Sequence, residues 1–141
     1  MRVILADDSD LILDRLQTMV GKSQKIKIVG TYRNGIDTLE ALRTLKPDLA
    51  IVDIKMPGMS GLEVLTQIRK ENKALIFIVL TFFSMDYYRQ LALEAGVDYF
   101  FSKIDDFEKI TEVLDKLAGE EGNGDQPELE IPPIGSARNT G

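Results

Sequence analysis

The chain has 141 residues, of which 44% are hydrophobic and 28% are charged, and its formal net charge is −6. This is the composition of one globular domain, and no apolar run approaches the roughly 20 residues of a membrane span. The lack of cysteine and histidine excludes disulfides, histidine-ligated zinc and a Ser-His-Asp triad. Any metal must be held by oxygen ligands, which favours Mg²⁺, Ca²⁺ or Mn²⁺. Since the chain has neither cysteines nor a membrane span, we expect a cytoplasmic protein.

Charge is spread unevenly along the chain. Residues 1–118 carry 18 acidic and 16 basic side chains, whereas residues 119–141 carry five acidic side chains and one basic side chain, Arg138. The second range is also rich in glycine and proline, which is typical of a flexible acidic tail or linker. We therefore predict a folded domain over 1–118 and a tail over 119–141. The near balance of charge in the domain predicts that it binds no nucleic acid.

The chain opens with an apolar run, residues 2–6, that predicts a buried strand. Asp8, Ser9 and Asp10 are all good N-cap residues for the helix that follows, which we expect to end near Gly21. The buried face of this helix is predicted by its apolar side chains, Ile12, Leu16, Met19 and Val20.

The second strand and the second helix come next. Residues 25–30 alternate between polar and apolar side chains, which predicts an edge strand with one wetter face. Asn34-Gly35 predicts a turn, and Pro47 closes the helix after it. We expect this helix to bury one row of side chains, Ile36, Leu39, Leu42 and Leu45.

The third strand, residues 49–53, is an uninterrupted apolar run that ends in Asp53 and is followed by a Pro57-Gly58 turn. Such a run is typical of a strand that is buried on both faces, as in a parallel sheet covered by helices. A carboxylate beside a buried run needs a reason to be there. A third helix then follows, with the apolar positions Leu62, Val64, Leu65 and Ile68.

The last third of the chain repeats this pattern twice. Residues 75–80 form a fourth strand that ends at Thr81, and a fourth helix spans 86–95 before Gly96 terminates it. A short fifth strand, residues 99–101, ends near Lys103. The final amphipathic helix is marked by Ile110, Val113, Leu114 and Leu117.

Five strands that alternate with five helices predict an α/β protein with a doubly wound parallel sheet and helices on both faces. Right-handed crossovers and one reversal of winding give the flavodoxin-like strand order 2-1-3-4-5. In this order the carboxyl edge of the sheet brings together polar residues that follow four different strands: Asp7, Asp8, Asp53, Thr81 and Lys103.

These groups predict phosphoryl-transfer chemistry. Crowded carboxylates repel one another unless a cation joins them, and Mg²⁺ suits oxygen-only ligands. A metal ion and Lys103 would neutralise phosphoryl oxygens, Thr81 would offer a hydrogen bond, and one carboxylate would attack to form an aspartyl-phosphate. Each residue also has an ordinary interpretation, such as a helix cap for Asp8 or a surface lysine for Lys103. The placement of these residues together at the ends of successive strands favours a phosphoryl-transfer site over the ordinary interpretations.

Four segments resemble the receiver domain of two-component response regulators, and the resemblance extends over essentially all of residues 1–118. They are Val3-Ile4-Leu5-Ala6-Asp7-Asp8, Asp53-Ile54-Lys55-Met56-Pro57-Gly58-Met59-Ser60-Gly61, the apolar fourth strand ending in Thr81, and Ala95-Gly96-Val97-Asp98-Tyr99-Phe100-Phe101-Ser102-Lys103. The resemblance implies a signalling switch in which Asp53 accepts a phosphoryl group from a phosphohistidine on a histidine kinase. Since the chain has no histidine, it cannot be its own donor.

The resemblance also implies roles for the site residues. Asp8 and Asp53 would bind Mg²⁺ directly, Asp7 would act through water, and the backbone carbonyl of Lys55 would be a further ligand. Thr81 and Lys103 would bind the phosphoryl oxygens. Phosphorylation would pull Thr81 inward, and the aromatic residue that follows this movement would be Phe100, which has no hydroxyl group to satisfy.

Two residues depart from the family pattern. Phe82 follows Thr81 where such domains usually have a small residue, so its ring is expected to narrow access to Asp53. Ile104 follows Lys103 where proline is common, and we expect a trans peptide bond there because a cis bond without proline costs about 3 kcal/mol. These departures leave open an alternative, a receiver-like interaction module that works without phosphorylation. A phosphatase is disfavoured, since Lys55 stands where such enzymes need a second acid.

Nine of the ten aromatic residues lie between Phe77 and Phe107. This density exceeds what one short strand and one helix face can bury, although part of it must belong to the core. We therefore predict an apolar contact surface on the fourth helix, fifth strand and fifth helix, used for a homodimer or a downstream output protein. The residues that suggest it are Phe82, Phe83, Tyr87, Tyr88, Phe100 and Phe101.

Overall fold

Five parallel strands alternate with five helices in the computed structural model, which describes residues 1–119. The strands are β1 (Arg2–Ala6), β2 (Lys27–Tyr32), β3 (Leu49–Val52), β4 (Ile76–Thr81) and β5 (Tyr99–Ser102). The helices are α1 (Asp10–Val20), α2 (Gly35–Leu45), α3 (Gly61–Glu71), α4 (Asp86–Ala95) and α5 (Lys109–Gly119). The order β2-β1-β3-β4-β5 confirms the predicted doubly wound sheet. The predicted tail lies outside the described residues, except for Gly119 at the end of α5.

Helices cover both faces of the sheet. Because successive side chains of a strand point to opposite faces, β3 sends Ala50 and Val52 to one apolar cluster and Leu49 and Ile51 to another. The first cluster packs under α2, α3 and α4, and the second packs under α1 and α5. No helix within residues 1–119 is long and apolar enough to cross a membrane.

The N-terminal half differs from prediction in small ways. β2 is an edge strand, as predicted, but it spans 27–32 and not 25–30, because the parallel ladder continues until the Tyr32 carbonyl accepts from Asp7 N. In α1 the buried face includes Leu13, whereas Ile12 is only half-buried. Asn34-Gly35 is not a turn: the Asn34 side chain caps α2 by accepting from the backbone N–H of Asp37.

The prediction for the buried face of α2 was wrong at Ile36, which is 57% exposed. At 3.6 residues per turn, each step of three residues falls short of a full turn by about 60°. A row at constant spacing of three therefore drifts around the helix and cannot stay on one face. The side chains that α2 buries are Thr38, Leu39, Ala41 and Leu42.

Two glycines at helix starts fix the loop between β3 and α3. A Cβ atom on Gly61 would lie 2.0 Å from the carbonyl oxygen of Asp53, and one on Gly35 would lie 1.9 Å from that of Met59. The Gly61 N–H donates to the Ile54 carbonyl at 2.7 Å. Gly58 supplies the left-handed turn within the loop, with φ of 82°. The backbone on both sides of Asp53 is thus held by neighbouring helices.

Candidate functional site

The ends of adjacent strands place the predicted site residues together. The backbone N–H of Asp53 donates to the Ala6 carbonyl at 2.9 Å, so Asp53 continues the ladder between β3 and β1. Between the next strands of the sheet, the backbone N–H of Lys103 donates to the Thr81 carbonyl at 2.9 Å, so Lys103 continues the ladder between β5 and β4. The side chains that follow these strands therefore converge at the carboxyl edge of the sheet, where α/β folds bind their ligands.

The ammonium group of Lys103 joins two carboxylates. Its Nζ lies 2.8 Å from Asp53 Oδ2 and 2.6 Å from Asp7 Oδ2, and all three side chains are buried. Burial alone would lower the pKa of Lys103, but its hydrogen bonds to Asp53 and Asp7 raise that pKa above the ordinary value. Burial raises the pKa of Asp7, against the opposing effect of its hydrogen bond from Lys103. The lysine is thus held as a cation between the two acids.

Asp8 completes a cluster of acids. Asp7, Asp8 and Asp53 each offer a carboxylate oxygen, and these atoms lie within 4.8 Å of one another. Asp7 and Asp53 are buried, whereas Asp8 is exposed at the mouth of the site. Three carboxylates against one ammonium leave an excess of negative charge, which suits a hard divalent cation with oxygen ligands.

Thr81 ends β4 next to Lys103, and Phe100 lies in β5; both residues are fully buried. The Thr81 hydroxyl oxygen accepts from the backbone N–H of Phe83 at 3.0 Å, which ties it to the loop between β4 and α4. Phe100 belongs to the apolar cluster under α4, and the guanidinium of Arg89 lies 4.9 Å from its ring centroid. The ring of Phe100 is thus buried under α4 with the Arg89 guanidinium against it, and its role in a switch stays a prediction.

The loop after Thr81 carries two aromatic rings, and each faces a lysine near the site. Lys103 Nζ lies 4.9 Å from the centroid of Phe82, and Lys55 Nζ lies 5.1 Å from that of Phe83. Phe82 is 58% exposed, so one side of its ring faces the site and the other faces solvent. The bond between Lys103 and Ile104 is trans, as expected, and the Ile104 side chain is exposed.

The predicted aromatic surface is only partly exposed. Phe100 and Phe101 are buried, and Phe83 and Tyr88 are half-buried, so only Phe82 and Tyr87 of the predicted set are exposed. The large apolar side chains that are exposed within residues 1–119 all lie in loops or first helical turns that follow a strand. They are Leu11, Ile36, Phe82, Met85, Tyr87 and Ile104.

Two polar interactions were not predicted from the sequence, one next to the site and one at the opposite edge of the sheet. Asp106 accepts from the Ser102 N–H at 2.9 Å and so fixes the turn after Lys103; an acid just before a helix is the signal that marks it. Arg69 pairs with Asp98 at 2.7 Å at the opposite edge of the sheet. That pair has no local signal, because its partners lie 29 residues apart.

The comparisons with known proteins identify the family. Residues 3–115 match the family model described as the response regulator receiver domain. This chain therefore belongs to the receiver domain family of two-component response regulators. Among solved structures, it is similar to a DNA-binding response regulator of the LuxR family from Staphylococcus aureus, with a TM-score of 0.77 and 29% identity over 83% of this chain and 98% of that one. It is also similar to the response regulator domain of Thermotoga maritima CheB, with a TM-score of 0.74 and 26% identity over 89% of this chain and 98% of that one.

Sequence relatives are longer than this chain. The response regulator VraR of Staphylococcus aureus is 29% identical over 118 residues, which are 84% of this chain and 56% of VraR. YesN of Bacillus subtilis, a transcriptional regulatory protein, is 30% identical over 120 residues, which are 84% of this chain and 33% of YesN. The chain thus spans between a third and three-fifths of the length of these relatives, and they share the receiver domain with it.

Proposed function

We propose that this chain is a signalling switch that accepts a phosphoryl group on Asp53 from the phosphohistidine of a partner histidine kinase. The observation that supports it best is the buried Lys103 ammonium, 2.8 Å from Asp53 and 2.6 Å from Asp7. An ammonium in this position neutralises charge on the oxygens of a transferred phosphoryl group. This bridge also argues against the alternative, an interaction module that works without phosphorylation.

Mg²⁺ is the cofactor that we propose. Its ligands would be the carboxylates of Asp8 and Asp53, with Asp7 acting through water, and the backbone carbonyl of Lys55. These residues suit Mg²⁺ because they offer three carboxylate oxygens within 4.8 Å of one another. The negative charge of the three carboxylates is balanced by only one ammonium group, that of Lys103. When bound, the ion supplies charge neutralisation on the phosphoryl oxygens.

The proposed reaction is a displacement at phosphorus. A carboxylate oxygen of Asp53 forms the new O–P bond as the P–N bond to the donor imidazole breaks, and the imidazole nitrogen keeps the electron pair and takes up a proton from solvent. Lys103 and Thr81 bind the phosphoryl oxygens during transfer. The product is an aspartyl-phosphate, which water hydrolyses later. The chain assists its own phosphorylation and dephosphorylation and is not an enzyme acting on other substrates.

The switch would work through Thr81 and Phe100. Phosphorylation adds about −1.5 to −2 charge and strong acceptor oxygens. The Thr81 hydroxyl can donate its proton to such an oxygen while its own oxygen accepts from Phe83 N, so a movement of Thr81 is transmitted to the loop before α4. Phe100, packed under α4 and covered by Arg89, would adjust with that loop.

The partners we propose are a histidine kinase and either an output protein or a second copy of the chain. The second contact would use the face of α4, β5 and α5, where Tyr87 is 68% exposed. We propose that this domain binds neither nucleic acid nor membrane and that it works in the cytoplasm. The longer relatives extend beyond the part that this chain matches, so their whole activity is not carried over to it.

The test of the proposed function is phosphorylation with a small phosphodonor. We expect phosphoramidate and Mg²⁺ to add one hydroxylamine-labile phosphoryl group, measured by intact mass. Asp53→Asn should abolish the gain, because the amide oxygen is a poor nucleophile. EDTA should abolish it as well, since the charge of the acid cluster would then be balanced only by Lys103.

The matched control is Asp48→Asn, which changes an exposed acid that lies just before β3 and far from the carboxyl edge. This variant should be labelled at the same rate as the wild type. Labelling that persists in Asp53→Asn would contradict the assignment of the phosphoacceptor.

A further inference from the structure

Phe82 is an exposed residue next to the site lysine, and it has no role in the function proposed above. Its ring centroid lies 4.9 Å from Lys103 Nζ, which is within the range of a cation–π contact. The same nitrogen lies 2.8 Å from Asp53 Oδ2. The ring and the carboxylate therefore lie against the same ammonium group, and the ring is part of the wall around Asp53.

The ring of Phe82 also covers one side of the Lys103 ammonium group. A lysine ammonium has three N–H donors. Two of them are used by Asp7 and Asp53, at 2.6 and 2.8 Å, and the ring of Phe82 takes a further side. The Lys103 side chain is only 3% exposed in this arrangement. The ring and the two carboxylates therefore compete with a phosphoryl oxygen for the space around Nζ.

The outer side of Phe82 faces solvent, since the residue is 58% exposed. The ring is therefore held over Lys103 from one side only, and a substitution at this position can change access to the ammonium without opening the apolar core.

We propose that Phe82 is a gate at the phosphorylation site: its ring over Lys103 slows phosphorylation of Asp53 by small free donors. This inference rests on the proposed function and identifies a residue that limits its rate. The gate acts through access to Lys103 and Asp53, so it leaves the carboxylate cluster itself unchanged.

The test compares the wild type with Phe82→Ala in two assays. The first measures the initial rate of Asp53 phosphorylation by phosphoramidate and by acetyl phosphate in Mg²⁺, by intact mass. The second measures how fast formaldehyde and cyanoborohydride methylate Lys103, by peptide mass spectrometry without metal or phosphodonor. Removing the ring should raise both rates, with about a tenfold gain for phosphorylation. A gain of this size corresponds to about 1.4 kcal/mol of barrier.

The control is Leu11→Ala, which removes a side chain that is 78% exposed in the first turn of α1. It should leave both rates at the wild-type value. Phe82→Leu keeps much of the bulk and removes the π face. We expect its two rates to lie between those of the wild type and those of Phe82→Ala. Unchanged rates in both assays for Phe82→Ala would overturn the gate. Faster methylation of Lys103 without phosphorylation of any variant would support the gate as a cover and overturn the proposed function instead.

Discussion

Asp106 illustrates how one side chain outside the site can hold a site residue in place. Its Oδ2 accepts from the backbone N–H of Ser102 at 2.9 Å, and its Oδ1 lies 2.9 Å from Lys109 Nζ. Burial would raise the pKa of Asp106, but the Ser102 N–H and the ammonium of Lys109 lower it below the ordinary value. The ionised form therefore stabilises the turn that connects Lys103 to α5.

This shift predicts a pH-dependent difference between the wild type and Asp106→Asn. The folded pKa lies below the unfolded value of 3.8, so the ionised carboxylate contributes stability above 3.8 that is lost as the pH falls through the folded pKa. We expect the variant to lose about 1 kcal/mol of unfolding free energy at neutral pH and progressively less in acid, measured by urea denaturation.

Asp105→Asn is the control for this prediction, because Asp105 is the exposed neighbour. It should unfold like the wild type at every pH. A penalty for Asp106→Asn that stays constant well below 3.8 would contradict the role of the charge.

Between elements, a buried ion pair joins α3 to the turn that precedes β5. Arg69 on α3 donates to Asp98 at 2.7 Å and to the carbonyls of Gly96 and Leu75. Asp98 also accepts from the backbone N–H of Phe77 on β4 at 2.8 Å. α3, β4 and the turn before β5 thus share one polar cluster at the edge of the sheet opposite the site. The cluster fixes the backbone at the points where β4 and β5 begin.

Arg69→Met is expected to destabilise the fold strongly. It removes the buried guanidinium that pairs with Asp98 at 2.7 Å, and the loss of one partner of a buried ion pair typically costs about 3 to 5 kcal/mol. Urea denaturation should show this loss, and the double variant Arg69→Met/Asp98→Asn should lose less than the sum of the single variants, because both act on one pair.

The exposed pair of Arg43 and Glu71 provides the comparison, since both side chains are more than 40% exposed. Arg43→Met should unfold close to the wild type, because solvent screens such a pair. Strictly additive losses for Arg69 and Asp98 would show that they do not act as a unit.

At the scale of the whole molecule, the sheet separates two apolar clusters, and the site lies at one edge between them. Within residues 1–119, the buried members of these clusters extend from Val3 to Ala118, and α5 contributes Ile110, Val113 and Leu114 to one of them. The clusters therefore require the chain up to the end of α5. This supports the proposal that the domain extends to residue 118, and the tail over 119–141 stays a prediction.

A chain that ends after Gly119 is therefore expected to fold by itself. If the predicted tail makes no contribution to the core, its unfolding free energy should lie within about 0.5 kcal/mol of the full chain, because all the side chains that the two clusters bury within residues 1–119 are kept. Thermal and urea denaturation would measure it.

A chain that ends after Glu108 is the control, because it lacks α5 and its buried side chains. This shorter chain should not fold cooperatively. A large loss of stability in the chain that ends after Gly119 would place part of the core within the tail.

The site could be predicted largely because its residues follow strands. A polar residue directly after an apolar run is visible in the sequence, and parallel strands bring such residues to one edge. Asp7, Asp53, Thr81 and Lys103 were placed together in this way. The contacts among them could not be read locally: Lys103 lies 50 residues from Asp53, yet its ammonium bridges that residue and Asp7.

The sequence by itself determined the type and order of the elements, because the periodicity of apolar side chains is a local property of each segment. It also determined that Thr81, Lys103 and the three acids of the site lie at the carboxyl edge of the sheet. Only the tertiary structure decided which face α2 buries, how Arg69 joins three elements and where the ring of Phe82 lies over Lys103. These depend on distances between segments remote along the chain, and such distances are set by packing and not by local pattern.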